Sequence, residues 1–185
     1  MIYLCSSSPT RAKILESFGI EFEQKSVEFD EDSIEATTPK EFVYKASLGK
    51  MKAAIAKYSL KTPLLCADTV IASSDGEILR KAKSKEEAKE ILLKQSNSTI
   101  SIITAMHYSR ADMSLVDISA THYKFAKFDE DDLQRYLDSN LWQGKAGACM
   151  VEGFCKPYIQ EVVGKQSCAM GLSVEVLLPW IDGVG

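Results

Sequence analysis

The chain opens on Ile2-Tyr3-Leu4-Cys5-Ser6-Ser7-Ser8-Pro9-Thr10-Arg11, a short apolar run that breaks into a serine-rich turn. The β-branched, aromatic and apolar residues at 2–5 read as a buried strand. Ser8 stands where a helix N-cap belongs, and Pro9 takes the first helical position, where its missing N–H costs nothing. The helix that follows is expected to bury Leu15 and Phe18 and to stop at Gly19, a natural left-handed terminator. A strand that feeds a serine turn into a helix N-terminus suits an anion. Free N–H groups and the helix dipole favour phosphate, and Arg11 adds a bidentate donor. Most such junctions are only structural, so the rest of the chain has to supply the ligand chemistry.

At 185 residues the chain is long enough for a real core, as one domain spanning 1–185 or at most two closely packed lobes. Its formal net charge of −4 argues against a general binder of nucleic-acid polymers or anionic membranes, which would need a basic face. No apolar run reaches the roughly 18 residues of a membrane span. No charged segment precedes an apolar one at the N-terminus, so a cytoplasmic location is expected. Five cysteines at 5, 66, 149, 155 and 168 show no CxxC spacing, and two histidines make a zinc site or a serine-hydrolase triad poorly supported. Reduced, buried thiols are expected.

Further along, the acidic cluster Asp30-Glu31-Asp32 reads as a solvated loop. Thr38-Pro39-Lys40-Glu41 is a capping box that opens a long helix to about Tyr58, with Phe42, Ala46, Ala53, Ala54 and Ile55 available for burial. Leu64-Leu65-Cys66-Ala67-Asp68-Thr69-Val70-Ile71-Ala72 has the hydrophobicity of a central strand but carries an aspartate in its middle. A buried carboxylate is costly unless it is paired, metal-bound or opens into a site. Asp68 either bonds to backbone at a bulge or belongs to an active site, where perturbed carboxylates concentrate.

Asp75-Gly76 reads as a hairpin turn that returns to Arg80-Lys81. Ser84 caps a helix, two strands follow around 100–108 and 115–125, and Asp129 caps another helix. Gly144-Lys145-Ala146-Gly147-Ala148 is a glycine-spaced turn, with or without a ligand. A strand around 158–163 and a last helix to about Trp180 complete the chain. Interleaved strands and helices indicate an α/β fold with a mixed sheet.

Cations at Arg11, Lys50, Lys81 and Lys145, with carboxylates at Glu31 and Asp68, form the mixture that phosphate chemistry needs. At this point the sequence resembles the Maf family of nucleotide pyrophosphatases, also linked to septum formation. The resemblance rests on Ser6-x-Ser8-Pro9-x-Arg11, Asp30-Glu31, Lys50, Ala67-Asp68-Thr69, Lys81, Ile103-Thr104-Ala105, Lys145-Ala146-Gly147-Ala148, Glu152-Gly153 and Met170-Gly171-Leu172. It covers nearly the whole chain, and the ordered set is specific.

The resemblance implies a twisted mixed sheet with flanking helices, as in Maf and ITPase folds, in two lobes around a central cleft and often as a homodimer. It implies cleavage of a nucleoside triphosphate between its α and β phosphorus atoms with a divalent cation (magnesium, manganese or cobalt). Asp68 would activate water, and Glu31 would help with metal or water. Ser6, Ser8, Arg11, Thr69, Lys50 and Lys81 would hold the substrate, with Lys50 and Lys81 in the catalytic set. Thr10, Lys145 and Glu152 fall where base choice is set. Members acting on dTTP and UTP usually have an arginine where this chain has Thr10 and a glutamine where it has Glu152. Arg80 and Ala82 replace a glycine and a proline beside the hairpin lysine, and Ser173 replaces a proline. From Glu152 and Thr10, a guanine-type substrate, including 7-methyl-GTP, is expected. The alternatives are a dTTP/UTP enzyme, or a nucleotide-sensing regulator of cell division without turnover.

Overall fold

The computed structural model describes residues 1–181. Its elements follow the expected alternation: β1 Ile2–Leu4, α1 Pro9–Ser17, β2 Phe22–Gln24, α2 Pro39–Tyr58, β3 Leu64–Ala72, α3 Lys85–Gln95, β4 Thr99–Arg110, β5 Met113–Phe125, α4 Glu130–Asp138, β6 Ile159–Val163, α5 Gln166–Ala169 and α6 Val174–Leu177. The strands form one six-stranded mixed sheet in the order β2-β1-β3-β4-β5-β6. β1 runs parallel to β2 and β3, whereas β5 and β6 are antiparallel. No helix among the described residues is long and apolar enough to cross a membrane.

Side-chain caps start the helices where the local sequence places them. Ser8 accepts from the Arg11 N–H, Thr38 from Glu41, Ser84 from Glu87, and Asp129 from Asp131 and Asp132. Each satisfies donors that a helix N-terminus otherwise leaves open. The last helix reaches Trp180 as expected, α6 passing into a 3-10 turn over Leu178–Trp180, and the left-handed Gly171, at φ 102°, separates it from the short α5.

The chain divides into two compact units. The first comprises Met1–Thr69, Ile103–Ala120 and the segment from Lys165 onward. Its β3 residues alternate between two cores, as the two-residue period of a strand requires. Leu65 and Ala67 pack with Ala12, Ile14 and Leu15 of α1 and with Met106 and Tyr108 of β4. Leu64 and Cys66 pack on the opposite side with Met51 and Ala54 of α2. Two expected core residues lie outside: Phe18 is exposed beyond the end of α1, and Ile55 is exposed on α2. Leu15 is buried as expected, and Ala12 and Ile14, rather than Phe18, complete the buried stripe of α1.

The second unit comprises Val70–Ile102 and Thr121–Gly164. Here Phe125, Phe128, Tyr136, Phe154 and Tyr158 make an aromatic cluster, with Tyr136 and Phe154 stacked at 4.4 Å. Cys149 and Cys155 are bonded to each other, which corrects the expectation of reduced thiols throughout. Cys5, Cys66 and Cys168 are buried.

Candidate active site

Asp68 and Thr69 are consecutive on β3, and the pleat sends their side chains to opposite faces. That separation organises everything around them. Asp68 shares its face with Leu64 and Cys66, and so meets α2, which carries Lys50. Lys50 Nζ lies 2.6 Å from Asp68 Oδ1 and 2.5 Å from Glu31 Oε1. Exposure grades outward, from 9% for the Asp68 side chain to 18% for Lys50 and 45% for Glu31.

Glu31 is carried by a short 3-10 turn, Glu31–Ser33, capped by the Asp30 carboxylate. Its approach to α2 depends on a glycine inside that helix. A Cβ at Gly49 would lie 2.2 Å from the Phe29 ring, so only glycine lets Phe29 sit against the helix beside Lys50. The acidic cluster is therefore anchored at Glu31 and is not merely a solvated loop.

Burial pushes the Asp68 carboxyl above the usual range; Lys50 and Arg11 pull it down, and Glu31 adds repulsion. For Lys50 burial acts to lower the pKa, but the attraction of Asp68 and Glu31 outweighs it and leaves the ammonium above its ordinary value. The two shifts do not mirror each other. Asp68 bears its own burial and the charge of Glu31, whereas Lys50 faces two opposite charges. The outcome is a charged lysine beside a carboxylate more basic than an exposed one, a combination suited to a general base.

On the other face, Thr69 meets α1. Arg11 donates from Nε to Gly171 O at 2.8 Å, from Nη1 to Ser6 Oγ at 3.0 Å and from Nη2 to Thr69 Oγ1 at 3.1 Å. Burial pulls the Arg11 pKa down, countered by Asp68 and Glu31, but an arginine remains charged under any ordinary condition. Ser6 Oγ also accepts from the Ser8 N–H, and Ser8 Oγ caps the Arg11 N–H. Both serines act as acceptors in these bonds, so their hydroxyl protons can still be donated to an anion. Thr10 is partly exposed in the first turn of α1.

Thr104, named in a sequence motif but given no role there, completes this face. Its hydroxyl is fully buried, donates to Cys168 O at 2.8 Å and lies 2.9 Å from Thr69 Oγ1. Gly171 was likewise only a motif residue. A Cβ there would come within 3.3 Å of both Arg11 Nε and Thr69 Oγ1. The sequence offers as signals only a hydroxyl within an apolar run and a glycine just ahead of the last helix.

The first unit thus joins Glu31, Lys50 and Asp68 on one face and Ser6, Arg11 and Thr69 on the other, and also contains Ser8 and Thr10. Lys81, Lys145 and Glu152 belong to the second. There Lys81 pairs with Ala146 in a β-bridge, and the Gly147 N–H donates to Leu79 O and Arg80 O at 3.0 and 3.1 Å. The hairpin strand carrying Lys81 is zipped to the turn carrying Lys145. Gln95 donates to Gly147 O at 2.6 Å from a fully buried position and holds that turn in place. Glu152 is exposed. Burial and the Glu152 charge together push Tyr136 up to about 12, and the Tyr136 hydroxyl donates to Ala148 O.

Among the described residues no group of three or more His, Cys, Asp or Glu side chains is arranged to hold a metal. Asp68 and Glu31, two carboxylates on one ammonium, suit a hard cation that takes one or two protein oxygens and completes its shell from phosphates and water.

Known proteins resemble this chain along nearly its whole length. Residues 1–183 match the family described as Maf-like protein. A nucleoside triphosphate pyrophosphatase from a Nitratiruptor species is 56% identical over 179 residues, 96% of each chain. One from Helicobacter pylori is 38% identical over 177 residues, 96% of this chain and 93% of that one. The solved structure of the Staphylococcus aureus Ham1 protein aligns with a TM-score of 0.47 and 16% identity, over 68% of this chain and 71% of that chain.

Proposed function

This chain belongs to the Maf family, and we propose that it works as a nucleoside triphosphate pyrophosphatase in which Asp68 is the base that activates water. The observation that carries the reading is the Lys50 ammonium held between exposed Glu31 and buried Asp68. A protein that only bound nucleotides would need the cation but not a carboxylate kept basic at its side.

In this reaction water attacks the α phosphorus and the bond to the α–β bridging oxygen breaks. Asp68 takes the water proton, pyrophosphate leaves, and the nucleoside monophosphate keeps the new oxygen. Lys50 engages Oδ1 of Asp68 and so leaves Oδ2 to accept the proton. The serine turn and the N–H groups at the start of α1 are assigned to phosphate oxygens, since Ser6 and Ser8 retain donor protons. Lys81 is assigned to phosphate by the resemblance of its motif. Asp68 and Glu31 would hold a divalent cation, which when bound neutralises charge developing on the phosphates.

For the base, the reading is a guanine-type triphosphate, 7-methyl-GTP included. A glutamate accepts two hydrogen bonds, matching the N1–H and exocyclic amine of guanine, whereas a glutamine donates and accepts, which suits uracil or thymine. Glu152 and Thr10 support the guanine side. Lys145 matches the dTTP/UTP-type members and supports the second reading.

Pyrophosphate release from 7-methyl-GTP, GTP, dTTP and UTP, measured for wild type and Glu152→Gln, tests both levels. Release from any of them supports the activity; none from a broad nucleotide panel leaves a nucleotide sensor. A wild-type preference for UTP that Glu152→Gln leaves unaltered overturns the guanine reading.

A further inference from the structure

The hydroxyl chain on the α1 face has a fixed direction. Cys168 O is a carbonyl and only accepts, so the single Thr104 proton, 2.8 Å away, is committed to it. At the 2.9 Å contact between the two threonines, Thr69 must then be the donor and Thr104 Oγ1 the acceptor. Arg11 Nη2 donates into Thr69 Oγ1 at 3.1 Å. The bonds therefore run one way, from Arg11 to Thr69 to Thr104 to the Cys168 carbonyl. Thr69 has spent its only proton and one lone pair. To anything arriving at its partly exposed side it offers one remaining lone pair and nothing to donate.

We propose that Thr104 is a positioning residue that locks Thr69 as a pure acceptor, so that Thr69 selects a nucleoside group bearing a hydrogen-bond donor, the sugar 2′-hydroxyl. Phosphate oxygens and keto oxygens are poor partners at that point, because two acceptors would face each other. Burial enforces the lock. Thr104 is fully enclosed, no water can take its proton in place of Cys168, and the Gly171 backbone fixes Arg11 from the other end. This rests on the nucleotide reading of the site and names which part of the nucleoside Thr69 meets.

The test compares wild type, Thr104→Val, Thr104→Ser and Thr69→Val on GTP against 2′-deoxy-GTP, a pair that differs only in the 2′-hydroxyl. Wild type should favour GTP. Thr104→Val frees the Thr69 proton to donate and should reduce that discrimination by about three- to tenfold, the worth of one ordinary hydrogen bond. Thr104→Ser should restore it, and Thr69→Val should abolish it. No wild-type discrimination, or a uniform loss in Thr104→Val with ratios unchanged, overturns the proposal. If Thr104→Val does not fold, retention of the wild-type ratio by Thr69→Val overturns it. Dissociation constants carry the same comparison without turnover. A chain that binds these nucleotides but releases no pyrophosphate therefore counts against Asp68 as base and leaves the ratios to decide Thr104.

Discussion

Lys50 Nζ lies 2.6 Å from Asp68 Oδ1, and this ion pair joins the middle of a 20-residue helix to the middle of a buried strand. Such a pair gains little stability, since desolvating both ions offsets much of their attraction. Its consequence is a controlled carboxylate pKa. Replacing Lys50 with methionine removes the main influence that holds Asp68 down and leaves burial and Glu31 unopposed except by Arg11. The Asp68 pKa should then rise, and the acid limb of kcat/KM should move to higher pH. An unmoved limb would count against Asp68 as the base. Stability follows the same sign. A carboxyl whose folded pKa lies above its unfolded one binds protons more tightly when folded. Lys50→Met should thus lose stability as pH rises through the window between those two pKa values and regain it on acidification.

Asp68→Asn keeps the shape of the side chain and removes its basicity. Pyrophosphate release should fall by about 100- to 10,000-fold, the usual worth of a general base, with circular dichroism and nucleotide binding retained. Turnover at the wild-type rate would sink the assignment. A variant that unfolds would show that Asp68 is held for structure.

Gly49→Ala separates positioning from stability. Alanine gains about 1 kcal/mol of helix propensity over glycine, but its Cβ would lie 2.2 Å from the Phe29 ring. The ring must move, and with it the segment that brings Glu31 to Lys50. We expect kcat/KM to fall by about tenfold while the thermal midpoint changes little, from the loss of one charge-assisted contact. Full activity would mean that the Glu31 contact is dispensable.

Excess chelator should stop turnover, and added magnesium should restore it. A nucleoside triphosphate brings about four negative charges near neutral pH, more than Lys50 and Arg11 can neutralise beside Asp68 and Glu31. Rates unchanged in chelator would take the cation out of the reaction.

The sequence by itself determined the helix starts and set Asp68 apart. Ser8, Thr38, Ser84 and Asp129 each bond to backbone two or three residues away, so their helix starts are written in a few adjacent letters. Asp68 stood out because a charge within nine otherwise mostly apolar strand residues needs a reason. The grouping of Arg11 with Lys50 as parallel cations came from the same reading, and the structure divides them. Strand alternation turns Asp68 to α2 and Thr69 to α1, so Lys50 serves the carboxylate and Arg11 serves the hydroxyl.

Only the tertiary structure decided that division, together with the roles of Thr104, Gly171 and Gly49 and the joining of Cys149 to Cys155. Arg11 finds Gly171 across 160 positions of chain, and Thr104 finds Cys168 across 64. Capping bonds close within one turn and carry their own signal. A partner that distant is set by which strands pair and which helix covers each face, and every apolar residue in the two cores contributes to that choice. No short stretch of letters holds the information, because the free energy that fixes the contact is spread over the whole sheet.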